Sequence, residues 1–341
     1  MGNTDLWASS RTTNRRSNYM PIPTSKVRNA QIGSLSPYRM AILAVIVASC
    51  GATIRIRAET PLAANAKSSP APARTAAQAP APPLPQKAFT FKLGDSTVTI
   101  IEHSQAGPCK LTFFGPHGNE KTSVRAALEV IRHTGGRVLE IKNDDRYLTF
   151  TTGGKKFVID PNRIFSEEGI KKTLILNNSA ALSDAAVAAV GAFSKQVLDL
   201  LKSESGNPWV AVHNNYPGRL NLNNVLTGAQ AKEIFPNRAL PLNDFFLVTQ
   251  KSEFDKLKGA GYNVVLQNNQ AVKDDGSLSV YCGQKGLAYI NVEAQHGRFA
   301  PQVRMIEAVV SLTGSGHLPA PVVAADAGAL QPKKDGQATE N

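Results

Sequence analysis

Aromatic side chains are scarce in this chain, 6% of its 341 residues, and cysteine is scarcer still, with three. So few large rings, with Ala and Pro crowded towards both ends, imply an ordered part shorter than the whole. Acidic residues are also short in number, 26 against 38 Lys and Arg, for a formal charge of +12. That excess is local. Residues 1–87 hold eleven Lys/Arg and two Asp/Glu, whereas residues 88–341 are nearly balanced at 27 against 24. No basic stripe with interleaved aromatics occurs, so no nucleic-acid partner is expected. Internal repeats are absent as well.

The N-terminal apolar run, Ala41 to Ala48 (AILAVIVA), falls well short of the ~20 residues of a membrane-spanning helix and suits the core of a signal peptide. Export is the expectation, to the periplasm or onto a membrane facing it. Val47-Ala48-Ser49-Cys50-Gly51 resembles the bacterial lipobox, which would make Cys50 a lipid anchor; Ala58 offers an ordinary cleavage site instead. The basic stretch before Met40 is long for such a signal, and Met20 and Met40 are alternative starts. A short anchor left uncleaved is the third reading. Residues 1–59 thus form the export region, 60–87 a Pro/Ala-rich disordered tether, 88–315 a globular body and 316–341 a disordered tail. Of the cysteines in the body, Cys109 and Cys282, the spacing permits a pair or two buried free thiols.

Within the body, FTFKL and STVTIIEH alternate in polarity and predict a hairpin turned at Gly94-Asp95. Leu111 to Phe114 reads as the end of a buried strand, stopped by Gly115-Pro116. A helix follows, capped by Thr122 or Ser123, with Val124, Ala127, Leu128 and Ile131 on its apolar face. RVLEI, YLTFTT and KKFVID are further strands. Ser183 to Lys202 is the longest helix, PWVAVHNN a buried strand ending in a polar turn, and DFFLVT, NVVLQ and AYINVEAQH complete the strands. Helices are expected near Glu253 to Lys258 and Gln302 to Ser311. Strands alternating with helices predict an α/β fold, a mixed, mostly parallel sheet with helices on both faces.

In such sheets, binding sites lie beyond the carboxyl ends of the strands. Three of those ends carry chemistry. LTFFG delivers His117 and Glu120, three apart on a turn, with Gly118 between them to let the backbone approach a bound group. WVAV delivers His213, and YINV delivers Glu293. Two imidazoles and a carboxylate make a complete three-ligand zinc set, and a further carboxylate can act as base for an attacking water. FVID ends at Asp160, placed to accept the other ring N–H of a ligand histidine. Asn162 and Arg163 follow, and an arginine there can clamp a carboxylate by two parallel hydrogen bonds.

The ordered set HxxE, Asp-x-Asn-Arg, His, Glu resembles the zinc carboxypeptidase family over roughly residues 108–300. The resemblance implies one Zn²⁺ held by His117, Glu120 and His213, with Asp160 behind the first histidine. It implies Asn162 and Arg163 on the substrate's terminal carboxylate, Arg146 polarising the scissile carbonyl, and Glu293 as the catalytic base. Gly276 to Glu293 is similar to the glycine-serine segment that leads into that base. Two departures stand out: the tyrosine expected upstream of Glu293 is missing, and the stretch between HxxE and Asn162-Arg163 is short. The GPHGNE turn also resembles the succinylglutamate desuccinylase and aspartoacylase group. The implied activity is hydrolysis of a peptide or amide bond beside a free carboxylate, in a peptide or N-acyl amino acid substrate, with cell-wall peptides as one candidate. A deacylase, or an inactive peptide-binding module on the same fold, is the alternative. His296 reads as a turn residue or as a substitute ligand with Glu293, and His103, His133 and His317 as surface residues.

Overall fold

The computed structural model describes residues 82–178, 182–202, 206–314 and 317–323. The export region, nearly all of the tether and most of the tail lie outside them, and so do the expectations made there. β1 (Gln86–Leu93) and β2 (Ser96–Gln105) form the expected antiparallel hairpin, with Gly94 at φ +61° in its turn. β3 (Thr112–Gly115), α1 (Lys121–Thr134) and β4 (Gly136–Ile141) make a parallel crossover unit. A small separate hairpin, β5 (Leu148–Thr152) and β6 (Lys155–Ile159), turns at Gly153-Gly154, both at positive φ. Next come α2 (Glu167–Asn177), α3 (Asp184–Leu201) and β7 (Trp209–Asn215). β8 (Ala231–Phe235), β9 (Phe245–Val248), α4 (Lys251–Gly259), β10 (Val264–Gln267), α5 (Leu278–Gln284), β11 (Tyr289–Gln295) and α6 (Phe299–Leu312) complete the body.

Nine strands pair in the order β1-β2-β4-β3-β7-β11-β9-β10-β8. The middle four, β4 to β11, are parallel, as are β9 and β10, and antiparallel pairs lie towards both edges. Both β4 and β7 follow β3 in the chain and lie on opposite sides of it. The crevice between β3 and β7 is therefore where the winding reverses, the place in such sheets where ligands bind.

Two apolar layers enclose the sheet because strand side chains alternate. Phe114, Leu139, Ala211 and Tyr289 pack with Ile170 and Leu174 of α2, Phe193 and Val197 of α3, and Leu278 and Cys282 of α5. On the other face Phe113, Val138, Val212 and Val292 pack with Val130 of α1, Phe254 of α4 and Ile306 of α6. Phe113 and Phe114, adjacent in sequence and each at most 1% exposed, plug opposite layers; truncating either to Ala should cost about 3–5 kcal/mol. Cys109 lies in the second layer and Cys282 in the first. Both are free thiols, and the sheet between the layers answers the open question of whether they pair.

Several local expectations need correction. Neither Thr122 nor Ser123 caps α1: Glu120 stands at that position, the Ser123 hydroxyl donates to the Glu120 carbonyl at 2.7 Å, and the Ser123 N–H is satisfied by Asn214 Oδ1 at 2.9 Å. Asn214 and Asn215 are not in a turn but are the last, buried residues of β7. His103, expected on the surface, is 7% exposed and bonded to Glu140 at 2.9 Å across the β2–β4 pair. His133 and His317 are exposed as expected.

Candidate metal centre and its cavity

The turn Gly115 to Glu120 positions the first two candidate ligands. Glu120 N–H donates to the His117 carbonyl at 3.1 Å, and Gly118 N–H to the Asp145 carbonyl at 3.1 Å. A Cβ on Gly118 would lie 1.9 Å from the Asn143 carbonyl oxygen. The glycine is needed for the turn to pass the 143–147 segment, rather than for a bound group as its spacing suggested. Both side chains converge on one point. Glu120 Oε1 lies 2.9 Å from His117 Nδ1, and Oε2 lies 3.0 Å from His213 Nδ1 and accepts the Asn214 N–H at 3.1 Å.

The β5–β6 hairpin brings in the next pair. Leu148 pairs with Ile159, so the residues just before β5 and just after β6 emerge at one end. Asp160 directly follows β6, and Arg146 stands two residues ahead of β5. Asp160 Oδ1 lies 2.8 Å from His117 Nε2 and also accepts the Asn162 N–H, while Arg146 donates to Glu120 Oε1 at 2.9 Å and to Asp160 Oδ2 at 3.2 Å. His117 therefore has both ring nitrogens engaged, one by each carboxylate.

His117, Glu120 and His213 are each no more than 3% exposed, and their ligand atoms lie within 4.8 Å of one another. Ligand atoms on a tetrahedral ion with bonds near 2.0–2.1 Å stand about 3.4 Å apart, a spacing of the same order as the 2.9 and 3.0 Å His–Glu120 contacts. Two imidazole nitrogens and one carboxylate suit zinc, and Asp160 stands where an outer carboxylate would fix the tautomer of a ligand histidine. His213 Nε2 is buried with no partner among the described residues.

Charge within the cluster is strongly coupled. Burial alone would push the Glu120 carboxyl up, but the His117 and His213 rings beside it more than offset this and hold it well below the usual carboxylate range. Asp160 is held low in the same way, against burial, by His117 and Arg146. Burial acts to lower His117, yet Glu120 and Asp160 overcome it and raise its pKa.

Glu293 behaves oppositely. β11 runs parallel to β7 in register, with Glu293 opposite His213, so both side chains leave the same face of the sheet. Its carboxylate accepts from Asn215 Nδ2 at 3.1 Å and Asn291 Nδ2 at 3.3 Å. Burial raises its pKa, with Glu120 adding to the rise and His213 opposing it. A carboxylate shifted upward in this way is a stronger base than an ordinary one.

His117, Glu120, Arg146, His213 and Glu293 line one cavity of about 640 Å³ that also reaches Asn162, Arg163, Tyr216 and Asp275. The size is typical of a small-ligand site. Arg163 is ion-paired with Asp275 at 3.1 Å, and Asn162 Oδ1 accepts weakly from Leu278 N–H at 3.4 Å. His296 is exposed, stacked on Tyr216 with ring centres 5.5 Å apart, and stands outside the ligand cluster. Asn214, Asn215, Asn291, Asp275 and Gln302 were not legible as site residues. Gln302, fully buried on α6, donates to the His213 carbonyl at 2.9 Å and accepts from Asn214 Nδ2 at 2.8 Å, bracing β7 from behind. The polar pair Asn214-Asn215 within an apolar strand was the available signal.

No protein-family model matches the chain. No curated protein matches it either. Among solved structures, a candidate metallopeptidase from Shewanella denitrificans is 12% identical, with 68% of this chain and 85% of that one covered and a TM-score of 0.34. An aspartoacylase family protein from Mesorhizobium loti is 13% identical, covers 69% of each chain and scores 0.33. Thrombin activatable fibrinolysis inhibitor is 10% identical, with 66% and 71% covered and a score of 0.36. These likenesses are loose, at 10–13% identity.

Proposed function

We propose that this chain is a zinc-dependent hydrolase of carboxypeptidase type, cleaving a peptide or amide bond next to a free carboxylate. One observation carries the reading: two imidazoles share the Glu120 carboxylate, and a second, proton-accepting carboxylate stands in register beside one of them in the wall of the same cavity. His117, Glu120 and His213 would hold a zinc ion, which would supply a Lewis acid for the scissile carbonyl and for a water. Glu293 takes the proton of that water, held in place by the Asn215 and Asn291 amides, and returns it to the leaving amine. Asp160 keeps the proton of His117 on Nε2, leaving Nδ1 as the donor atom. Arg163 holds the substrate carboxylate with Asn162 beside it, and Arg146, at the edge of the ligand cluster, faces the developing oxyanion.

The segment ahead of the body supports export, with Cys50 lipidated or the signal cleaved near Ala58; the mass of the mature N-terminus in the native host distinguishes the two. Cell-wall peptides are the substrates such a location would offer. The function is tested with N-acyl dipeptides carrying a free or an amidated C-terminus. Arg163→Ala should raise KM for the free acid roughly ten- to a hundredfold, the scale of a charged hydrogen bond, and barely alter it for the amide. Equal effects on both would remove the carboxylate clamp from the mechanism.

A further inference from the structure

A second, smaller cavity of about 210 Å³ adjoins the metal cavity, lined by Tyr147, Asp160, Lys172, Thr173, Leu176 and Asn177, and by two residues that line both: Arg163 and Asp275. Those two are the partners of the 3.1 Å ion pair. The wall between the cavities is thus a salt bridge. Alone, the smaller space is below the usual range of a ligand site and reads as an extension of the larger.

We propose that the Arg163–Asp275 bridge is the partition that makes the substrate end at its carboxylate, with Asp275 as a specificity-determining residue. The inference rests on the carboxylate-clamp reading of Arg163 given above. Its physical basis is that both ends of the bridge stand on backbone locked together. Asp275 Oδ1 accepts the Ser277 N–H at 3.0 Å, which fixes its turn. Asp274 accepts from Ser166 Oγ at 2.7 Å, and Phe165 N–H donates to the Gly276 carbonyl at 3.0 Å. A Cβ on Gly169 would meet Gly276 Cα at 2.1 Å, so the two segments touch backbone to backbone. Asp275 therefore cannot retreat, and it holds Arg163 through Nη1 across the gap. A carboxylate arriving from the metal side meets the guanidinium, whereas a chain that continues meets the bridge. Both side chains are partly exposed, 36% and 48%, so the bridge is worth little as a stabilising contact and its loss should leave the fold standing.

The test compares kcat/KM for cleavage of the same X–Y bond in N-acetyl-X-Y dipeptides and in those dipeptides extended by one glycine, with the products separated so that removal of the glycine alone is not counted. Wild type should favour the free dipeptide. In Asp275→Ala that preference should fall by up to about fivefold, the upper end of the scale of one exposed ion pair, chiefly through faster turnover of the extended peptide. Adding Leu176→Trp, which refills the second cavity from an exposed position on α2, should restore it. Asp275→Ser keeps an acceptor for the Ser277 N–H while being too short to reach Arg163, and serves if the alanine variant does not fold. An unchanged preference in a folded Asp275 variant overturns the partition while leaving the clamp intact. A wild type with no preference, and no response to Arg163→Ala, overturns both.

Discussion

Replacing Glu293 with Gln separates chemistry from binding, and the structure fixes the sign of each effect. The carboxylate is 4% exposed and has two amide donors and no cation on its own oxygens. Burial disfavours its charge, so its folded pKa lies above the unfolded value near ~4.3. For an acid shifted in that direction, ionisation above the unfolded value costs folding free energy, and a neutral isostere removes the cost. Gln would face two NH₂ groups with only one oxygen. Asn215 is pinned through Nδ2 to the Asn243 carbonyl at 2.8 Å, whereas the Asn291 amide bonds only Glu293 and its oxygen has no partner among the described residues, so an amide flip there would present that oxygen to the new NH₂. Glu293→Gln should therefore keep stoichiometric zinc and an unchanged KM. Its Tm in the metal-free form at pH 7 should be equal or higher, on a scale of about 2–4 °C per kcal/mol for a domain of this size. Turnover should fall by at least ~10², the scale of general acid–base catalysis. The assay pairs elemental analysis and calorimetry with steady-state kinetics on one preparation. Wild-type kcat would refute the assignment of the base, and loss of zinc would make Glu293 a ligand.

His117→Ala and His213→Ala should each abolish zinc binding as read by chelator competition; full occupancy in both would dismiss the site. Glu120 and Asp160, held low in the fold, contribute stability above the unfolded carboxylate values near ~4 that is lost as pH falls below them. The urea midpoint of the metal-free protein should therefore drop on acidification from about pH 4, and less steeply in Asp160→Asn; identical curves would mean the shift is not felt in folding. Gly118→Ala should cost about 1–3 kcal/mol of stability and lower zinc affinity, because the new methyl collides with the Asn143 carbonyl. A fully stable, zinc-replete Gly118→Ala would show that the turn has room to move.

The parts of the site legible in the sequence were those that follow apolar strands. His117, His213 and Glu293 each terminate or closely follow such a run, and alternation put Glu293 on the face opposite Val292, as observed. What escaped depends on partners remote in sequence. Asp275 acquires its meaning only when the 274–277 turn docks on the segment after Arg163, and His103 is buried by a glutamate on the next strand. Helix α2 went unread because Ile175 and Leu176 face solvent and blur its apolar face. α5 is a single short element whose Ser-Gly composition looks like a loop. The cap of α1 comes from Asn214, not from its own sequence, which is why local capping rules chose the wrong residue.

The in-register pairing of β7 and β11 makes the sheet a gauge. His213 and Glu293 project from opposed positions on neighbouring parallel strands, so their backbone separation is the ~4.8 Å repeat of hydrogen-bonded strands and not an outcome of loop packing. Loop insertions, altered strand ends or repacked helices change what surrounds that interval without altering it. Glu293→Asp would keep the charge yet withdraw it by one methylene, with no neighbouring freedom to close the gap. For transplantation the rule is short: two facing positions on adjacent parallel strands, one imidazole and one glutamate, carry the working distance with them into any sheet that offers the pair.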